Sequence, residues 1–254
     1  MNKVFIYFNL NSLFMDYGII NLNIVPMRKK NNAKSEMISQ LFFGECIAII
    51  KTKEKWSFIR SNLDDYQGWI RNLHFKLIKE SDYKILSKAD SVFSKSEIII
   101  KNNTSEITIP TGSLLSSVKF LNYSYVDEGE CKSTLETIKS FINSPYLWGG
   151  KTKFGVDCSG LVQSIFKTLN IILPRDSKEQ SDFGVEISEG YKLGDLAFFG
   201  ENLNKISHVG IFIDRETIVH AYGKVRMDKI NSDGIYNNEE KRITHFLQKV
   251  NRIL

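Results

Sequence analysis

Cys158, His208 and His220 are the residues whose types and spacing could do chemistry. Cys158 stands where a helix is expected to begin, in Gly155-Val-Asp-Cys-Ser-Gly-Leu-Val. The free amides and positive dipole end of a helix start stabilise a thiolate. Gly155 and Gly160 leave room for backbone or substrate to come close. His208 opens the strand-like run His-Val-Gly-Ile-Phe-Ile, and His220, twelve positions later, closes Thr-Ile-Val-His-Ala-Tyr. If these strands are antiparallel neighbours, both imidazoles reach one edge. A thiol, an imidazole and a third polar group then form the nucleophile, base and orienter of covalent catalysis. Taken singly, a cysteine at a helix start can be a small core filler and a strand histidine a structural one; the combination points to catalysis. A zinc site would want a fourth ligand and short paired spacings, which are absent. His74 and His245 read as surface or core histidines, Cys46 as core, and Cys131 as a residue on the approach to a helix.

The elements that must position these groups follow from periodicity. Ser133-Thr-Leu-Glu136 fits a capping box, and Leu135, Ile138, Phe141 and Ile142 continue at helical spacing until Ser144-Pro145. After Cys158, the stripe Leu161, Val162, Ile165, Phe166 and Leu169 predicts a second helix, stopped by Asn170 and Pro174. Strand-like runs follow at 195–199, 208–214, 217–221 and 224–230. Helices followed by an antiparallel run of strands is an α+β layout. Ahead of it, segments 45–51, 55–60 and 66–71 are rich in Ile, Phe, Trp and Tyr and bounded by turn residues. Trp56, Phe58, Tyr66 and Trp69 are too many aromatics for one exposed ribbon, which predicts a small closed barrel over 20–78. Residues 79–130 carry weaker strand signals. Ile109-Pro-Thr-Gly-Ser-Leu faintly repeats Leu41-Phe-Phe-Gly-Glu-Cys, so a second, degenerate barrel or a linker region is expected there.

Composition narrows the function classes. Of 254 residues 42% are hydrophobic and 25% charged, which excludes a disordered chain. Lys and Arg number 34 against 29 acidic residues, a net charge of +5 without basic runs, so no nucleic-acid partner is expected. Three cysteines cannot all pair, which suits a reducing compartment. The apolar run at 4–8 is too short for a secretory h-region, and no stretch approaches the ~20 apolar residues of a membrane span. The expectation is a cytoplasmic protein with no membrane partner, whose N-terminal segment 1–19 precedes the barrel.

Residues 131–254 resemble the NlpC/p60 family of papain-like cysteine peptidases. The resemblance rests on Tyr146-x-Trp-Gly-Gly, Asp157-Cys-Ser-Gly-Leu-Val, Leu173-Pro-Arg-x-Ser-x-x-Gln180, Gly194-Asp-Leu-Ala-Phe-Phe, Ser207-His-Val-Gly-Ile and Val219-His-Ala, in family order. It implies an α+β fold of helices packed on an antiparallel sheet, with Cys158 as nucleophile, His208 as base and His220 as its orienter. The segments Pro26-Met-Arg, Phe43-Gly-Glu, Trp56-x-Phe-Ile-Arg and Gly68-Trp-Ile resemble bacterial SH3-like domains. One or two such barrels ahead of this peptidase are similar to the subgroup that cleaves γ-D-glutamyl–diaminopimelate bonds in released wall peptides. That likeness implies substrate contacts from Asp65, Tyr66, Tyr146, Asp157, Ser159, Asp176 and Ser177. The Asp65–Tyr66 turn and Asp157 would hold the free amine, and Asp176 and Ser177 the D-glutamyl part.

The mechanism so implied starts from a Cys158 thiolate paired with a protonated His208, passes through an acyl-enzyme, and needs no metal or cofactor. The expected partner is a peptidoglycan-derived peptide; oligomeric state is not legible. Three rivals stand beside this reading. One is a secreted hydrolase of intact wall, another a silent wall-peptide binding module. The third is a transferase using the same acyl-enzyme.

Overall fold

A computed structural model describes residues 15–88, 91–127 and 129–253. The N-terminal run at 4–8 lies outside that description. Alternating apolar residues build the first unit from β1 (Asp16–Ile19), β2 (Ile24–Arg28), β3 (Met37–Phe42), β4 (Cys46–Lys53), β5 (Trp56–Ser61), β6 (Gln67–Arg71) and β7 (Lys76–Ile78). They form one antiparallel sheet, ordered β3-β2-β6-β5-β4-β1-β7, curled into a small barrel. The barrel therefore starts at Asp16, ahead of the expected boundary at 20, because β1 pairs with both β4 and β7. Its interior is aliphatic, with Val25, Met27, Leu41, Ile47, Ile59 and Ile70 buried together. Of the aromatics that argued for closure, Tyr66 packs against this core. Phe58 and Trp69 are cross-strand partners outside that core, with the Lys51 ammonium over both rings.

Residues 79–127 do not form a second barrel. After α1 (Glu80–Lys88), β8 (Ile98–Lys101), β9 (Glu106–Ile109) and β10 (Ser124–Asp127) make a three-stranded sheet. Three short strands cannot close, so their apolar face needs a partner. Ile98, Ile100, Ile109, Val118 and Leu121 find it against Ile19, Phe43 and Cys46 of the barrel. Gly44 (φ +86°) permits this approach: a Cβ there would sit 2.5 Å from the Leu114 carbonyl oxygen.

The remaining residues form α2 (Thr134–Ser140), β11 (Lys151–Thr152), β12 (Gly155–Val156), α3 (Cys158–Lys167), α4 (Ser177–Gln180) and seven strands. The strands are β13 (Val185–Ile187), β14 (Leu196–Gly200), β15 (Ile206–Phe212), β16 (Thr217–Tyr222), β17 (Lys224–Ile230), β18 (Gly234–Asn237) and β19 (Arg242–Arg252). The capping box at Ser133 and Glu136 starts α2 as expected, and α2 ends two residues earlier than the pattern suggests. The long β19 pairs with β18 through its first half and with β14 through its second, so six strands close into a ring. Among the described residues, no helix is long and apolar enough to cross a membrane.

Every residue of α3 is buried. One face, Leu161, Val162, Ile165 and Phe166, packs into the sheet core, each side chain contributing about 1.5–3 kcal/mol. The opposite face is polar and docks on the barrel. There Lys167 pairs with Glu45 at 2.5 Å, and Gln163 donates to Asp64 at 2.9 Å. The helix that carries Cys158 is thus clamped between two units. Each holds it by a different chemistry.

Candidate active site

Cys158 is the first residue of α3, behind Asp157 as N-cap, whose carboxylate accepts from the Gly160 amide at 2.8 Å. The thiol meets the backbone amide of Val209 on β15, which brings the helix start against the strand of His208. On β15 and β16, Gly210 lies directly opposite His220. Side chains two apart share a face, so His208 and His220 are diagonal neighbours, and Gly210 leaves the space between them open. A Cβ at Gly210 would lie 2.7 Å from Ile218 and 3.1 Å from the His220 Cβ. The rings meet with His208 Nε2 2.8 Å from His220 Nδ1.

Asp228 decides where the protons sit. His220 Nε2 lies 3.0 Å from Asp228 Oδ2, and an ionised carboxylate only accepts. The proton of His220 is therefore on Nε2, its Nδ1 accepts from His208 Nε2–H, and His208 Nδ1 is left as a free lone pair. Arg226 holds Asp228 from the other side through two bonds of 2.6 and 3.1 Å. Although burial opposes it, the bonds from His220 and Arg226 hold the Asp228 carboxyl below the ordinary range.

The packing around Cys158 and His208 opposes the charges of the expected thiolate–imidazolium pair. Burial and the neighbouring Asp157 carboxylate push the Cys158 thiol up to about 11. Burial, with the His220 and His245 rings beside it, holds His208 well below its ordinary value. The N-cap carboxylate offsets the helix-start charge that would have favoured a thiolate. Both shifts favour the neutral forms of the two groups.

His245 is neither a surface nor an unrelated core residue. It stacks on His208 with ring centroids 4.1 Å apart and planes 27° apart. The nitrogens of His208, His220 and His245 fall within 4.8 Å of one another. The in-plane lone pairs of the stacked His208 and His245 rings, however, lie in separate planes with centroids 4.1 Å apart, whereas a zinc centre needs them to converge on one point. The cluster packs the base; it does not form a metal cradle.

A cleft of about 510 Å³ opens over Cys158 between the barrel and the peptidase-like half. Tyr66, Tyr146, Asp157, Ser159, Asp176 and Ser177 all line it. Asp65 does not: it is exposed and lies 3.6 Å from Arg60, whereas its neighbour Asp64 turns inward to Gln163. Asp157 lines the cleft but is already committed, accepting from the Gly149 amide at 2.7 Å and from Arg175 at 2.5 Å. A carboxylate so saturated has no capacity for an incoming ammonium. Asp176 differs: among the described residues its carboxylate accepts from the Tyr66 hydroxyl alone, at 3.4 to 3.5 Å. Desolvation by the cleft wall raises the Asp176 carboxyl, against the lowering effect of Arg175. Tyr66, raised to about 12 by burial and the charge of Asp176, remains a neutral donor.

Sequence reasoning missed Asp228, Arg175, Glu36, Trp148 and His245 as members of the site. Glu36, on the approach to β3, accepts from the Trp148 indole at 2.9 Å and pairs with Lys29 at 2.9 Å, and all three line the cleft. One signal could have found Asp228. Gly223 turns β16 into β17, so counting back from the turn sets Arg226 opposite His220 and Asp228 on the same face.

Residues 143–243 match the NlpC/P60 family, and residues 27–74 match a bacterial dipeptidyl-peptidase SH3 domain. The chain is 26% identical over 215 residues to a γ-D-glutamyl-L-lysine dipeptidyl-peptidase of Bacillus subtilis, covering 72% of this chain and 71% of that one. It is 34% identical over 105 residues to the probable endopeptidase NlpC of Escherichia coli, covering 40% of this chain and 68% of the relative. The fold matches the crystal structure of an NlpC/P60 family protein from Bacillus cereus, with a TM-score of 0.71 at 17% identity over 94% of this chain and 99% of that one.

Proposed function

This chain belongs to the NlpC/P60 family of peptidases, and from that premise we propose that it is a cysteine endopeptidase cutting the γ-D-glutamyl–diamino acid bond of peptidoglycan-derived peptides with a free N-terminal L-Ala. Cys158 attacks the γ-carbonyl as His208 Nδ1 takes its proton, and the imidazolium then protonates the leaving amine. Water, deprotonated by the same ring, releases the acyl group. His220 and Asp228 keep the base in its working tautomer. Backbone amides at the start of α3 face the developing oxyanion.

One observation carries the substrate reading: Tyr66 of the barrel and Asp176 of the peptidase half meet at 3.4 to 3.5 Å across the cleft. A barrel that supplies one wall bounds the cleft, and a carboxylate hydrogen-bonded by a neutral phenol suits a terminal ammonium. Ser177, which lines the cleft, remains for the D-glutamyl carboxylate, whereas the Ser159 hydroxyl is engaged by Arg175 and Asp157. A free L-Ala terminus exists only on fragments released from the glycan, so the role is recycling of wall peptides, in the cytoplasm.

The test compares Ala–γ-D-Glu–diaminopimelate with its N-acetyl form, products read by mass spectrometry. Losing one charge-assisted hydrogen bond costs ~1.5–3 kcal/mol, so kcat/KM should fall roughly 10- to 100-fold. Equal kcat/KM for the two peptides, or turnover of intact sacculi at the same rate, would reject the reading in favour of a wall hydrolase.

A further inference from the structure

Gln163 lies on α3, five residues beyond Cys158, and does not touch the cleft. Its amide nitrogen donates to Asp64 Oδ2 at 2.9 Å and to the Leu173 carbonyl at 2.8 Å. Both partners can only accept, so the nitrogen must face them, and the Gln163 oxygen is left buried without a hydrogen-bond partner. An orphaned buried oxygen carries a desolvation cost that Leu or Met would avoid while filling the same space. The amide is kept for its nitrogen.

The two acceptors begin the two walls that meet over the amine position. Asp64 also accepts from the Tyr66 amide at 3.3 Å, fixing the turn that presents the Tyr66 ring. Leu173 leads through Pro174 and Arg175 to Asp176. The Pro174 carbonyl is pinned in turn by Gln180 at 2.8 Å, and Gln180 also reaches the Ser159 carbonyl at 3.1 Å. Although burial opposes ionisation, the Lys151 and Lys167 charges and the Gln163 bond hold Asp64 as a carboxylate. The brace is therefore charge-assisted on the barrel side and neutral on the other.

We propose that Gln163 is a positioning residue for substrate recognition: one amide nitrogen on the nucleophile's helix ties the 64–66 turn of the barrel to the 173–176 segment, setting the Tyr66–Asp176 distance and hence the selection of a free peptide amine. The inference rests on the amine-binding reading of that pair. It makes the barrel's grip on substrate depend on α3, the same helix that aims the thiol.

The test uses the full chain carrying Gln163→Met. Hydrogen exchange followed by mass spectrometry should show faster exchange in peptides covering 64–66 and 173–176 together, with the sheet unchanged. For the free-amine peptide, KM should rise roughly tenfold while kcat stays within about threefold, and the preference over the acetylated peptide should shrink. Gln163→Glu sets an anion against Asp64 and should be worse, and adding Asp64→Asn, which restores a donor–acceptor pair, should recover part of the KM. That pair of variants also decides the matter if Gln163→Met fails to fold. Unchanged KM with unchanged exchange, or equal losses in kcat and stability without a KM effect, would overturn the proposal. If the wild type itself ignores the acetyl group, the amine reading fails separately. The brace is then judged by the exchange result: a coupled rise supports it and no rise ends it.

Discussion

Asp228→Ala is the perturbation that interrogates the catalytic relay most directly. The carboxylate makes one bond to His220 and two to Arg226, and it is 4% exposed. With it gone, His220 can place its proton on Nδ1 and donate to His208 Nε2. His208 must then carry its own proton on Nδ1, which removes the lone pair required to take the thiol proton. The neutral chain of two rings has two tautomers, and the lost bond is the charge-assisted one that separates them, ~1.5–3 kcal/mol. The same bond stabilises the imidazolium that forms during attack. The expected loss is therefore about 10- to 100-fold in kcat at ~1.4 kcal/mol per tenfold, with KM unchanged, since Asp228 does not line the cleft. Asp228→Asn should fall between the two, because one amide orientation still accepts from His220 but turns its nitrogen toward an Arg226 donor. The assay is steady-state kinetics on the free peptide, with circular dichroism to establish that the sheet is intact. Wild-type kcat in a folded Asp228→Ala protein would refute the tautomer argument.

Two further perturbations test protonation and docking. With the Cys158 thiol at about 11 and His208 well below its ordinary value, iodoacetamide labelling of Cys158 should climb with pH without a plateau near neutrality. Cys158→Ala should lose both the label and hydrolysis. The acid limb of kcat/KM should lie below the pH at which an ordinary histidine titrates, because protonation of His208 removes the base only there; a labelling plateau below pH 7 would restore the ion-pair mechanism. Lys167→Ala leaves Glu45 buried and unpaired, and should cost ~3–5 kcal/mol in denaturant melts. Lys167→Met with Glu45→Gln should recover most of it, and an additive double variant would contradict the pairing.

Local pattern placed Cys158, His208 and His220 and carried the α+β layout. Each is written within one stretch of chain: a helix start at Asp157-Cys158, two strands whose apolar alternation places His208 and His220, and a capping box at Ser133. The barrel was legible for the same reason, although Phe58 and Trp69 proved to lie outside its aliphatic core. What sequence could not decide depends on register and on burial between units. Asp228 and His245 join the site only because β17 and β19 align as they do around a closed ring. Asp157 was read as a substrate acid and proved saturated, because Arg175, eighteen residues on, folds back onto it. Residues 79–127 lack enough strands to close and become a second unit only by sharing the barrel's core. The direction in which Cys158 and His208 are shifted likewise depends on packing. A helix start alone favours a thiolate, but desolvation and the N-cap carboxylate oppose it; the carboxylate is local to the helix start, whereas the desolvation arises only when the sheet closes over the helix.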